Sequence, residues 1–315
     1  MIQNWKFLLI LLFTISFTKS NDIHKPGKKI KNDITKDGNY ELIPMINTSF
    51  PSQMKLEYFG VRKQKLGVCL IGKNFSSMMS MILCSLMKGK DYSSKYHFYD
   101  CGRSRRYIST TEMALKNKFK SVDKLFKRWN VLMIVRNPID RLISGFMQLC
   151  YYRTWLKKNE DYCYNCNKNI TCFVDKLYDE LVNVVNRKKI PNQFNDYHFY
   201  PQTWQCEYYK HKKNYNYLKY PSKDKDIFYS NLMNELKKSG VALAHINFLS
   251  NKVKTFNTFH ATTGKKDTKN YKQSLFKNTK LIQKICSIFY YDFIEFGYKF
   301  PKACEDIPAL VNNAI

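Results

Sequence analysis

The sequence predicts an α/β fold, with a central, mainly parallel sheet flanked by helices. Three observations carry this expectation. Leu66–Ile71 (LGVCLI) is a short apolar run of strand length, followed by a polar turn and a helical segment. Val131–Val135 (VLMIV) is a second such run, broken by Arg136-Asn137-Pro138 and again followed by apolar residues at helical spacing. Strands that lead into helices build parallel sheets, because parallel neighbours need a crossover.

The elements follow in chain order. Phe7–Phe17 (FLLILLFTISF) is apolar and follows a single lysine, Lys6. It is too short to span a bilayer comfortably and has the form of a signal-peptide core, with small residues Thr18 and Ser20 placed for cleavage after Ser20. Residues 1–20 are therefore read as a cleaved signal or a short uncleaved anchor, and either puts the rest of the chain in the secretory lumen. Residues 21–60 are polar, rich in Lys and Asn, and carry Pro26, Pro44 and Pro51, which marks a stem or linker. Residues 61–315 read as the globular domain. Ser77–Lys88 is apolar all round, as a helix packed on a sheet is, and Gly89 can end it. Tyr96–Cys101 reads as a second strand and Val122–Trp129 as a short helix. Further helices are read from Leu142, Ile143, Phe146, Leu149 and Cys150, from Leu177, Leu181, Val184 and Val185, and from Leu281, Ile285, Ile288 and Phe289.

The chain has 315 residues, 53 Lys plus Arg and 25 Asp plus Glu, giving a net charge of +28. With 44% apolar and an ordinary 25% charged residues it can bury a core, so wholesale disorder is excluded, and no stretch reaches 18 uninterrupted apolar residues, which excludes a polytopic membrane protein. The positive surplus favours an anionic partner; AT-biased coding, which enriches Lys, Asn, Ile and Tyr, is the other account. Nucleic acid is not expected, since no Arg-rich strip, zinc finger or RNP-like motif is present. Ten cysteines in an oxidising lumen suggest several disulfides. The cluster Cys163, Cys166 and Cys172 lacks a second CxxC, which favours disulfides over zinc. Cys69 and Cys84 can also be read as buried thiols. Sequons stand at Asn47, Asn74 and Asn169. Asn74 falls at a tight strand-to-helix turn and is expected to stay unmodified.

In parallel α/β sheets ligands bind beyond the carboxyl ends of the strands. Two polar loops sit there. The first, Gly72–Ser77, puts Lys73, Asn74, Ser76 and Ser77 before a helix N-terminus, where N–H groups and the dipole favour an anion; a Ser-capped helix explains it equally well. It is not a Walker A loop. The second, Arg136–Ser144, offers a guanidinium and a hydroxyl that suit a terminal phosphate, or an arginine paired with Asp140.

Taken together, a strand-loop-helix with Lys and Ser followed by R-N-P-x-x-R-x-x-S-x-F (Arg136–Phe146) resembles the sulfotransferases. The closer resemblance is to carbohydrate sulfotransferases of the chondroitin and HNK-1 type, in a divergent nematode-like branch. Cys163–Phe173 (CYNCNKNITCF), His198–Cys206 (HFYPQTWQC) and Tyr290–Tyr298 (YYDFIEFGY) add to it. The sequence departs from that pattern at Phe75-Ser76-Ser77, at Asn137, where an acid is usual, and at Asn214–Tyr220 (NYNYLKY). The resemblance implies a P-loop-like sulfotransferase fold and transfer of a sulfonyl group from 3′-phosphoadenylyl sulfate (PAPS) to a hydroxyl of a chondroitin-like, anionic glycan. It implies a Golgi lumen or membrane setting, with secretion as the alternative. The first loop would hold the 5′-phosphosulfate, with Lys73 also catalytic at the leaving oxygen; Arg136 and Ser144 would hold the 3′-phosphate. A base must take the acceptor proton. His198, close after Asp196, is the candidate, ahead of His245 and His260. Thr262–Lys266 (TTGKK) reads as a surface turn or a basic flap. Trp155 and Trp204 could stack on sugar rings or belong to the core. No metal is expected. The competing reading is a noncatalytic luminal or secreted protein that binds anionic glycan.

Overall fold

A computed structural model describes residues 40–46, 57–90, 106–153, 162–191, 193–255, 262 and 264–305. Five strands form one sheet: β1 Tyr58–Val61, β2 Leu66–Cys69, β3 Arg106–Tyr107, β4 Asn130–Arg136 and β5 Asn216–Tyr220. Their order is β3-β1-β2-β4-β5. β2 pairs with β4, and β4 with β5, in parallel, whereas β1 is antiparallel to both neighbours. β1 alone therefore runs against the other four, and the mainly parallel expectation holds.

Period-2 alternation explains why the central strands are apolar throughout: each is covered on both faces. In β4, Val131, Met133 and Val135 enter one core and Leu132 and Ile134 the other. The second core is completed by α1 (Ser76–Lys88), whose exit is turned by Gly89 at φ +102°. On the first core's side follow α2 (Thr110–Lys116), α3 (Val122–Arg128), α4 (Pro138–Phe146), α5 (Ile170–Val185), α6 (Gln193–Phe199) and the short α7 (Tyr208–His211). After β5, α8 (Asp226–Lys238) and α9 (Leu243–Thr255) return to the second core. α10 (Lys266–Lys277), α11 (Thr279–Ile288) and α12 (Tyr290–Glu295) close the first.

Three expectations need correction. The sheet begins inside the expected linker, because Tyr58–Gly60 belongs to β1; four residues interrupted by a glycine gave too short an apolar run to register. Residues 40–46 are also held to the domain. Ile43 is 1% exposed and donates its N–H to the Ser287 carbonyl, and the Pro44 carbonyl accepts the Trp204 indole N–H at 2.8 Å. Trp204 is thus a core residue, 4% exposed. Finally, Cys69 and Cys84 are not free thiols. Cys84 is disulfide-bonded, and Cys69 pairs with Cys206, Cys150 with Cys163, Cys166 with Cys172 and Cys286 with Cys304. Residues 1–39, Asn47, Tyr96–Cys101, Trp155 and His260 lie outside the described residues, so the expectations placed on them do too. Among the described residues no helix is long and apolar enough to cross a membrane.

Candidate active site

The carboxyl ends of β2, β4 and β5 converge. Leaving β2, the chain turns at Gly72, and Lys73 and Phe75 both take left-handed backbone (φ +70° and +66°), which costs a non-glycine residue of order 1 kcal/mol or more. Gly72 is required by close approach: a Cβ there would lie 2.4 Å from the Tyr197 carbonyl oxygen of α6. The N-cap of α1 is Phe75, with no side-chain cap, so the Ser-capped reading of this loop does not hold. Ser76 and Ser77 open α1, half-buried, on the first turn that favours anions.

Leaving β4, Asn137 caps α4, its Oδ1 accepting the N–H groups of Ile139 and Asp140 at 3.1 and 3.2 Å, and Pro138 fills the first helical position. Asparagine thus keeps the capping role of an acid at that position. Arg136, 6% exposed, donates from Nη1 to the Lys73 carbonyl at 3.0 Å and from Nη2 to the Ser222 hydroxyl at 3.3 Å, in the turn after β5. Its guanidinium lies 5.4 Å from the Tyr220 ring centroid, and its buried Nε has no partner. Burial lowers its pKa, opposed by Tyr220, Asp140 and Tyr298. Asp140 does not pair with Arg136 directly. It accepts from Ser222 Oγ at 2.7 Å and from Lys272 of α10.

Lys73 is half-buried and donates to Gln148 Oε1. Burial pushes its amine down to about 7, and the nearby Arg136 and Arg141 push the same way. Asn74 turns inward instead of toward a ligand. It is 1% exposed, donating to the Ile134 carbonyl at 2.9 Å and to Gln202 Oε1 at 2.6 Å. Its place in the core fits the expectation that this sequon stays bare. Asn169 is exposed and caps α5. Ser144 lies half-buried on α4.

His198 lies on α6, whose Tyr197 touches both loops: its carbonyl faces Gly72 and accepts from Arg141 Nη2 at 3.1 Å. His198 Nδ1 lies 2.7 Å from the Phe194 carbonyl. A carbonyl only accepts, so Nδ1 carries a proton, and in the neutral ring Nε2 is the nitrogen with the lone pair. His245 is placed otherwise. Its Nε2 meets Ser85 Oγ at 2.7 Å, roughly 13 Å along α1 from the loop at 1.5 Å per residue. In the basic turn, the Lys265 amine sits 4.1 Å from the centroid of the Tyr152 ring.

Several residues that hold the site escaped sequence reasoning. Arg141 is 1% exposed and spends its guanidinium on the carbonyls of Gly72 (3.0 Å), Tyr200 (2.7 Å) and Tyr197 (3.1 Å), with its pKa lowered by burial to about 10. Gln202 clamps Arg136, accepting its N–H at 2.9 Å and donating to its carbonyl at 2.9 Å. Gln202 is held in turn by Asp292 of α12, which also accepts the Thr203 N–H at 2.8 Å. Burial raises the Asp292 pKa against these donors and Arg141. The presence of Arg141 and Gln202 within the quoted motifs was the only sign of their importance.

The arrangement brings two cations and an uncapped helix start together at the carboxyl ends of β2 and β4, with His198 on the helix whose Tyr197 packs on Gly72. Comparison with known proteins shows the family. Residues 57–299 match the sulfotransferase family, and the chain belongs to it. The protein is similar to the carbohydrate sulfotransferase chst-1 of Caenorhabditis elegans, at 29% identity over 252 residues, 77% of this chain and 75% of the relative. It is also similar to vep-2 of the same organism, named as a sulfotransferase, at 28% identity over 211 residues; the match spans 64% of either chain. No solved structure matches.

Proposed function

We propose that the protein is a carbohydrate O-sulfotransferase that uses PAPS to sulfate a hydroxyl of a glycan in the secretory pathway. The observation that carries the reading is the meeting of Lys73 and Arg136 at the ends of adjacent parallel strands in a chain of this family. The site fits a phosphonucleotide: Arg136 keeps an unpartnered buried Nε, and α1 opens without a side-chain cap. Bound PAPS would supply the sulfonyl group and a phosphate leaving group.

The residues divide the work. Arg136, with Ser144, anchors the 3′-phosphate. The N–H groups of Ser76 and Ser77 and the ammonium of Lys73 face the oxygen on which negative charge grows, where preorganised donors contribute most. His198 accepts the acceptor hydroxyl's proton at Nε2. Asn74 serves as a brace behind the loop. The +28 charge favours an anionic acceptor, and a chondroitin-like glycan is the one that the resemblance implies. The reading is tested by titrating the secreted protein with adenosine 3′,5′-bisphosphate in a calorimeter, beside an Arg136→Ala variant, and then assaying PAPS-dependent sulfation of chondroitin. Saturable binding lost in the variant, with sulfate transfer, is expected. Heparin binding by a folded protein that ignores the nucleotide would favour a noncatalytic glycan-binding protein.

A further inference from the structure

The contact between Lys73 and Gln148 comes from an unusual piece of backbone. Gln148 lies in a π turn, Met147–Tyr151, closed by the Tyr152 N–H donating to the Met147 carbonyl at 2.9 Å. α4 passes into it without a break, since both Phe146 and Met147 keep helical backbone. A π turn holds one residue more than an α turn, is rare, and occurs frequently at functional sites. Here it is firmly anchored. Met147, Leu149 and Cys150 are buried in the first core, and Cys150 is bonded to Cys163. Gln148, 7% exposed, is the polar side chain of this apolar segment, and it reaches the loop after β2.

The electrostatics explain why an amide suits the position. The charged groups acting on Lys73 are Arg136 from β4 and Arg141 from α4, both cations. A carboxylate partner would neutralise the ammonium that a phosphate needs. An amide oxygen orients the ammonium and leaves its charge available.

We propose that Gln148 is a positioning residue, whose side-chain oxygen, carried by the π turn, aims the Lys73 ammonium at the leaving phosphate oxygen. This role rests on the sulfonyl-transfer reading above.

The test follows Lys73 itself. The secreted wild-type protein, Gln148→Glu and Gln148→Met are labelled with acetic anhydride across a pH series without nucleotide, and labelling of the Lys73 peptide is quantified by mass spectrometry. Both substitutions keep the side-chain length, and circular dichroism checks that each variant folds. The expected result is opposite movement. Glu raises the Lys73 midpoint by about one pH unit or more, and Met lowers it. In the PAPS assay both variants should lose kcat, about tenfold, with a smaller change in the donor KM. Folded variants that leave the midpoint in place, or move it the same way, overturn the proposal. Opposite shifts in the two variants, with a folded wild-type protein that binds no adenosine 3′,5′-bisphosphate, overturn the functional reading and leave the Gln148–Lys73 contact standing, so the two failures are told apart.

Discussion

The loops that follow β2 and β4 sit one strand apart and are built in opposite ways. The first is strained and adjustable: two non-glycine residues hold left-handed backbone, and its cation has a pKa near neutrality. The second is stiff. Pro138 and Asn137 fix its exit, and Gln202 grips both backbone groups of Arg136. One loop carries a charge that can be switched, the other a charge that arginine keeps. The difference teaches that neighbouring strand ends can carry a permanent and a switchable cation; on the proposed function the first anchors a phosphate and the second faces the leaving oxygen.

The largest effect should come from removing what the loops share. Arg141→Met removes the guanidinium donor from the carbonyls of Gly72, Tyr200 and Tyr197, and stability should fall by about 3 kcal/mol or more in chemical denaturation. Unchanged stability would mean that the loops do not depend on this common floor. Next, Arg136→Ala should weaken adenosine 3′,5′-bisphosphate binding on the order of 100-fold by calorimetry, since charged hydrogen bonds contribute about 1.5–3 kcal/mol each. Arg136→Lys should restore little of it, because a lysine cannot form the fork. Ile43→Ala should cost about 2 kcal/mol or more of stability through the strap over Trp204, while nucleotide affinity per folded molecule stays the same.

The pH dependence sharpens the contrast further. In the free protein Lys73 is protonated below about 7 and neutral above it, so kcat/KM for the donor should fall as pH rises through 7. A bound phosphate favours the charged form. At pH 8 nucleotide binding should therefore take up a proton, seen as a calorimetric heat that varies with the ionisation enthalpy of the buffer. In Lys73→Arg that uptake should vanish. The smallest effect is Ser144→Ala, a few-fold loss of affinity, in keeping with one neutral hydrogen bond at about 1 kcal/mol.

The places of Lys73 and Arg136 in the fold were legible in the sequence because strand ends announce themselves. VLMIV is apolar, Pro138 stops it, and the two residues between them, Arg136 and Asn137, have to emerge at the end of the strand. The same pattern placed Lys73 and α1. Residues that work through the backbone of distant segments left no periodic trace. Gln202 reaches back 66 residues and Arg141 reaches forward 59, and both are polar groups buried by contacts no local window contains. Asn74 misled for the same reason, since its partner Gln202 lies 128 residues away. β5 went unread because it is an edge strand with only Leu218 buried. β1 went unread because it is short, although it lies inside the sheet.

The Cys69–Cys206 bond sets a problem of timing for the ribosome. It joins the end of β2 to the segment that carries Gln202, across a separation of 137 residues. Three of the other bonds close over 13, 6 and 18 residues and can form almost as soon as they are made. Cys69 is synthesised early, and six cysteines emerge before its partner does. Every one of them is a wrong partner within reach while the chain grows from its N-terminus. Faithful assembly of the two loops therefore requires that Cys69 stay reduced, or that wrong bonds be exchanged, until Cys206 emerges, and in the second case its yield should rise with the supply of disulfide isomerase.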